Sequence, residues 1–182
     1  MAVQHNPKSL RLKTTKKRIL IAFLIILGVG LLIPQQFSMP VEGADNKSYN
    51  SETFWHYPWG KSVTHKGVDV FAKEGTPIHS STPGMVVASG ELSRGGKYVL
   101  VLGAKWRLHY YAHLKDIHAQ SFTWVNKNKS IGTVGKTGNA ATTPAHLHYS
   151  IVTLIPYPWR IDKSPQGWKK MFYLNPINYL NQ

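Results

Sequence analysis

The sequence contains no cysteine and only 8 acidic residues among 182, and each scarcity removes a class of structure. Without thiols there are no disulfide staples and no thiolate metal sites, so any metal must be held by nitrogen and oxygen donors. There is no H-E-x-x-H motif either, which excludes a site built on one helix with a glutamate as general base. Beyond Ile33 the chain lacks amphipathic helical periodicity, internal repeats and low-complexity tracts.

The shortage of acids leaves a formal net charge of +14, unevenly distributed. Six of the 22 basic residues (Lys8, Arg11, Lys13, Lys16, Lys17 and Arg18) fall in residues 1–18, and the other 16 set against 8 acidic residues leave +8 for the remainder. Such an excess suggests an anionic partner, either a polymer or a lipid surface. No recognisable nucleic-acid module accompanies it, so nucleic acid is not expected as a partner.

After the basic segment comes an unbroken apolar run, "ILIAFLIILGVGLLI", Ile19 to Ile33. As a helix it reaches about 22 Å, against about 30 Å for a hydrocarbon core, between a long signal-peptide h-region and a short membrane anchor. The nearest small-residue pair for a cleavage site, Val41 and Gly43, lies well beyond it, which favours an uncleaved single-pass anchor over secretion after cleavage. In both cases the basic flank stays in the cytoplasm and the rest of the chain lies outside. The expected organisation is a basic tail (1–18), an anchor (19–33), a linker (34–50) and one domain (51–182).

Within that domain the strand signals are "GMVVASGE", "KYVLVLGA", "RLHYYAHL", "SIGTVGKTG" and "HLHYSIVTL", each rich in Val, Ile, Leu or Tyr and bounded by turn formers. The expected fold is mainly β, an antiparallel sheet or sandwich. The aromatic-rich C-terminal stretch is expected to be loop ending in a short docking segment.

Chemistry enters with the histidines, nine in all, five of which fall in three strand-like places. In "TPAHLHYSIV" the period of two puts His146 and His148 on one strand face and Leu147 on the other, towards a core. In "THKGVDV" Gly67 lets His65 and Asp69 converge. In "RLHYYAHL" the same period puts His109, Tyr111 and His113 on a common face. Neutral imidazole is the commonest side-chain metal ligand, yet half-buried structural histidines would give the same pattern.

The ordered set "HKGVD", "YAHL", "GTVGKTGNAATTPAHLH" and "NPINYL" resembles the lysostaphin-type zinc metallopeptidases, which cut peptides of the bacterial cell wall. The resemblance covers about residues 60–180 and implies that family's fold, the duplicated hybrid motif. It implies one Zn2+ per chain held by His65, Asp69 and His148, with His113 and His146 acting on water and substrate. Peptidoglycan peptides are the implied substrate; the competing reading is a non-catalytic relative that binds cell wall or activates an amidase through the same groove. Two neutral imidazoles and one carboxylate would leave such a site at net +1, suited to acidifying water. The sequence departs from the commonest pattern at Tyr149 and Ser150, where many relatives have Phe-Glu, and in a longer loop before His146. His56, Tyr57 and Arg160 are candidates for lining the groove, Tyr57 as an oxyanion helper, with packing roles as the alternative. His79, His109 and His118 read as structural or solvated.

Overall fold

The computed structural model describes the backbone of residues 7–180 and the side chains of residues 15–180. The chain divides into two compact units at Ile33–Pro34. The first contains helix α1, Pro7–Leu32, whose 26 residues extend for about 39 Å. It begins well before the apolar run, so part of the segment expected as a basic tail is helical; residues 1–6 and the side chains of 7–14 lie outside the described residues. Ile19, Phe23, Ile26 and Leu32 are exposed on α1. Among the described residues no helix is long and apolar enough to cross a membrane. The apolar run expected as an anchor is helical as far as Leu32, with Lys16, Lys17 and Arg18 directly preceding it.

The second unit contains nine strands in one hydrogen-bonded sheet, every pairing antiparallel. They are β1 (Val68–Phe71), β2 (Pro77–His79), β3 (Gly84–Leu92), β4 (Gly96–Gly103), β5 (Arg107–Ile117), β6 (Trp124–Val125), β7 (Ser130–Val134), β8 (His146–Thr153) and β9 (Tyr173–Leu174). A single turn of helix, α2 (Ile177–Leu180), buries Ile177 and Leu180, which makes it the short C-terminal docking segment the sequence suggests. The order is β1-β8-β5-β4-β3-β6, with β2 joined through β7 to β5, and β9 joined to β8. The sheet thus branches, at β5 where β7 joins and at β8 where β9 joins. Val68, Val70, Val86, Val99, Val101, Ile131, Leu147 and Ile151 fill its core without solvent contact.

Two features differ from the sequence expectations. Residues 34–50 have almost no regular structure, as a linker would, yet they are packed into the domain. Val41 bridges to Ile78 and is 1% exposed, the Ser38 N–H donates to the Ser81 carbonyl at 3.0 Å, and Phe37 stacks on Tyr179 at 4.4 Å. Such segments lack periodicity because they pack one residue at a time against other strands.

The second difference is in β5. His109 and Tyr111 face the core, but His113 does not share their face. Its φ is +66, and the register of β4 with β5 slips where Lys97 pairs with Leu114 and Val99 with Tyr111. This bulge turns His113 out of the core face. It is also where β5 exchanges partners: Arg107–Ala112 pair with β8, and Leu114 and Ile117 pair with β7.

His109 is fully buried, and its Nδ1 lies 2.7 Å from the Tyr149 hydroxyl. That hydroxyl also meets Ser81 Oγ at 2.6 Å, and Ser81 Oγ meets the Tyr111 hydroxyl at 2.7 Å. Burial above all, with the Arg107 charge adding to it, pushes the His109 pKa down to about 3. The unfolded chain therefore takes up a proton near pH 6.5 that the folded chain refuses until about 3, so stability falls as pH drops through this window. The cost for this group is about 1.4 kcal/mol per pH unit. Substituting His109→Gln, which keeps a partner for Tyr149 but cannot titrate, is expected to make the loss of stability between pH 6.5 and 4 shallower by about that slope. Urea denaturation across the window measures it, and slopes identical to wild type would contradict the assignment.

Candidate functional site

Strand pairing alone assembles much of the site. In the β1–β8 register Asp69 lies opposite His148, and Phe71 lies opposite His146, so the four side chains share one face as direct and diagonal neighbours. His65 precedes β1 in a buried segment, tied by Trp55 N–H to His65 O at 2.6 Å and His65 N–H to His56 O at 3.1 Å. Gly67 serves this turn by its size: a Cβ there would meet the Tyr149 carbonyl oxygen at 2.5 Å and His148 Cε1 at 2.9 Å. The Trp59 ring stacks on His65 at 4.2 Å.

Three donor atoms converge. His65 Nε2 lies 3.0 Å from Asp69 Oδ1 and 3.1 Å from His148 Nδ1, and His148 Nδ1 lies 2.8 Å from the same Oδ1. Ligands about 2.0–2.1 Å from a tetrahedral zinc would stand about 3.3 Å apart, so only a slight expansion separates this cluster from a coordination shell. His65 Nδ1 meets the Thr53 carbonyl at 3.1 Å, and since a carbonyl can only accept, that nitrogen carries the proton and Nε2 presents a lone pair. His148 Nε2 meets Ser150 Oγ at 2.9 Å, which lets Nδ1 present its lone pair in the same way. Three lone pairs at these separations repel one another unless a cation or proton lies among them. Burial would raise the Asp69 pKa, but a proton placed among these atoms on His148 or His65, hydrogen-bonded to Asp69, holds it far below the usual carboxylate range, so Asp69 is the anion of the three. Burial lowers the His148 pKa, favouring the neutral imidazole that a metal needs. His65, Asp69 and His148 therefore fit a divalent ion with nitrogen and oxygen preference.

His113 and His146 stand beside this cluster, with ring centroids 5.1 Å apart and His113 6.0 Å from His148. Each is held in one tautomer by a backbone carbonyl: His113 Nδ1–H donates to Thr137 O at 2.9 Å, and His146 Nδ1–H donates to Pro144 O at 2.8 Å. Both Nε2 atoms are consequently free to take protons. His146 Nε2 lies 4.0 Å from Asp69 Oδ2. Burial pushes the His113 pKa down to about 4, against the opposing pull of its hydrogen bond to Thr137.

The cluster opens into a cavity of about 420 Å³ lined by His113, His148, Trp59, Tyr110, Ser150 and Tyr173 among others. Of the five sequence-derived site residues, His65, His113 and His148 line this cavity, while Asp69 and His146 adjoin them in the cluster without lining it. The three groove candidates do not line it: Tyr57 is exposed, His56 lies edge-on to Trp59 at 5.9 Å, and Arg160 donates to the carbonyls of Lys170 and Tyr173 at 3.2 and 3.0 Å. His79 pairs with Glu42 and His118 with Ser130, away from the site. Tyr110 and Trp59 escape a sequence reading, whereas the period-two rule that aligns His146 with His148 also puts Ser150 on their face. Substituting Ser150→Ala removes the partner of His148 Nε2 and is expected to weaken zinc affinity about 10- to 100-fold. Competition with a chromogenic chelator measures this, and an unchanged affinity would show that Ser150 has no such part.

The antiparallel sheet and its His–Asp–His cluster define a lysostaphin-like fold with a candidate metal centre. Residues 63–157, more than half of the chain, match peptidase family M23, and the chain belongs to that family. It is similar to the peptidoglycan DD-endopeptidase ShyA of Vibrio cholerae, with 31% identity over 114 residues, 62% of this chain and 26% of that protein. It is also similar to the L-Ala–D-Glu endopeptidase of Bacillus subtilis, with 30% identity over 122 residues, 63% of this chain and 37% of that protein. The chain thus spans well under half the length of these relatives. Among solved structures, the catalytic domain of lysostaphin from Staphylococcus simulans superposes with a TM-score of 0.56 at 25% identity, covering 69% of this chain and 86% of that one. A zinc-containing peptidase from Vibrio cholerae superposes with a TM-score of 0.53 at 25% identity, covering 64% of this chain and 36% of that one.

Proposed function

We propose that this protein is a zinc-dependent endopeptidase that hydrolyses peptide bonds of bacterial peptidoglycan. The observation that carries the reading is the convergence of three lone-pair donors beside two imidazoles whose Nε2 atoms remain free, with His65, His148 and His113 lining one groove. His65 Nε2, Asp69 Oδ1 and His148 Nδ1 would hold the ion. A bound zinc ion supplies Lewis acidity, acidifying water towards a pKa of about 7 and polarising a peptide carbonyl.

The side chains beside it handle protons. His113, with its pKa pushed down to about 4, is neutral at pH 7 and can accept the proton of attacking water at Nε2. His146 presents a second Nε2 to the same face, close to Asp69, where a protonated ring would be steadied by the carboxylate. Once protonated, either ring can donate to a developing oxyanion or return its proton to the leaving amine.

We further infer that the domain acts outside the cytoplasm. The basic residues ahead of Ile19 and the length of the apolar run suit an export signal or a short membrane-associated segment with snorkelling lysines. Digestion of purified peptidoglycan followed by mass spectrometry of the fragments tests the enzymatic reading. New peptide ends formed with zinc, lost with chelator and restored by zinc are expected. Binding to wall without any new end from zinc-loaded protein would instead favour a non-catalytic relative.

A further inference from the structure

The groove over the site residues continues past Trp59 into a second cavity of about 430 Å³, the two sharing Trp59, Ser62, Arg94 and Asn139 as walls. Their charge is one-sided. Lys66 lines the first cavity, Lys61 the second and Arg94 both, while no carboxylate among the described residues lines either. None of these three cations belongs to an ion pair among the described residues. The nearby carboxylate of Asp69 is already engaged by His65 and His148.

The cations are also positioned. Lys66 Nζ donates to the carbonyls of Ser62 and Thr64 at 2.9 and 3.2 Å, and Arg94 Nη1 reaches the Lys61 carbonyl at 3.4 Å, leaving most of its planar fork unused. The backbone that carries Arg94 is locked to the site. The Asn139 N–H donates to Arg94 O at 2.9 Å and the His113 N–H donates to Gly95 O at 2.8 Å. At Gly138, with φ +68, a Cβ would strike Arg94 O at 2.3 Å, so close packing of these two loops depends on that glycine. Arg94 is therefore one residue removed from a direct backbone bond to His113.

Cations gathered along one groove without counter-charges, two of them, Lys66 and Arg94, held by carbonyls, form a surface that favours an anion. An unused guanidinium fork suits a carboxylate, which it can meet with two parallel hydrogen bonds. We infer that Arg94, Lys61 and Lys66 form a subsite for a free carboxylate of the substrate peptide, close to the bond that is cut. The groove thus selects anionic peptides over neutral ones of the same length. The inference rests on the reading of this groove as a peptide-cleaving site.

A matched substrate pair tests it: a cross-linked muropeptide dimer, and the same dimer with its free carboxyls converted to primary amides. With the zinc-loaded full chain, kcat/KM is expected to favour the carboxylate form about tenfold or more, since charge-assisted hydrogen bonds are lost on amidation. Arg94→Gln and Lys61→Gln are expected to shrink that ratio, whereas Lys127→Gln, an exposed lysine outside both cavities, is expected to keep it. A wild-type ratio near one, or an Arg94→Gln protein with the wild-type ratio, would overturn the subsite. Calorimetric binding of both dimers to the His113→Ala protein gives a readout independent of turnover. If zinc-loaded wild type cuts neither dimer, the peptidase reading fails, and the calorimetry alone decides: tighter binding of the carboxylate form upholds the subsite and equal binding overturns it.

Discussion

Asp69→Ala and His148→Ala proteins are expected to lose zinc affinity by more than the roughly 10- to 100-fold that follows loss of a ligand's hydrogen-bond partner, and to cut no peptide above background. The reason is the number of donors. A catalytic zinc site keeps three protein ligands and an open position, and removing one leaves two donors that cannot compete with water and buffer. Folding reports the same loss. Zinc at about 100 times its Kd stabilises a protein that binds it by about 2.7 kcal/mol, so wild-type Tm should rise on adding zinc and the Tm of either variant should not. Zinc content by mass spectrometry and Tm by calorimetry check both parts. A variant that retains one tightly held zinc would contradict the ligand set.

Replacing His113 or His146 with alanine is expected to have the opposite signature: zinc retained at one per chain and kcat lowered by about 10²- to 10⁴-fold. Their Nδ1 atoms are occupied by the carbonyls of Thr137 and Pro144, so what alanine removes is the free Nε2 beside the metal-binding cluster. The double variant should fall far short of the product of the single losses, because two groups that pass the same proton act as a unit. Stopped assays on a short cross-linked peptide, alongside zinc analysis of each protein, separate this from loss of metal. Unchanged kcat in both single variants would remove proton transfer from these rings.

Much of this arrangement is legible in sequence because it rests on short-range geometry. The five strands with clear alternation or β-rich runs all form as β3, β4, β5, β7 and β8. His146, Leu147 and His148 follow the strand period as expected, with Leu147 fully buried. The short strands β1, β2, β6 and β9, with two to four residues each, are set by partners distant in the chain and leave little local signal. The same holds for Phe37 and Val41, whose packing depends on Tyr179 and Ile78. His113 shows the limit of period reasoning. The even spacing of His113 from His109 and Tyr111 says nothing of a bulge, and only the slipped register between β4 and β5 reveals why His113 leaves their face. Arg160, Tyr57 and His56 were plausible on residue type alone, but residue type does not decide which wall a loop presents.

X-ray absorption at the zinc edge on the zinc-loaded full chain tests the metal centre most directly. The expected result is one zinc with two imidazole nitrogens at about 2.0–2.1 Å and one carboxylate oxygen at about 2.0–2.2 Å, the imidazole signal halving in the His148→Ala protein at whatever zinc loading it reaches. A wild-type shell with three or four imidazoles would contradict it, since that would bring His113 or His146 onto the ion and leave no free base beside it.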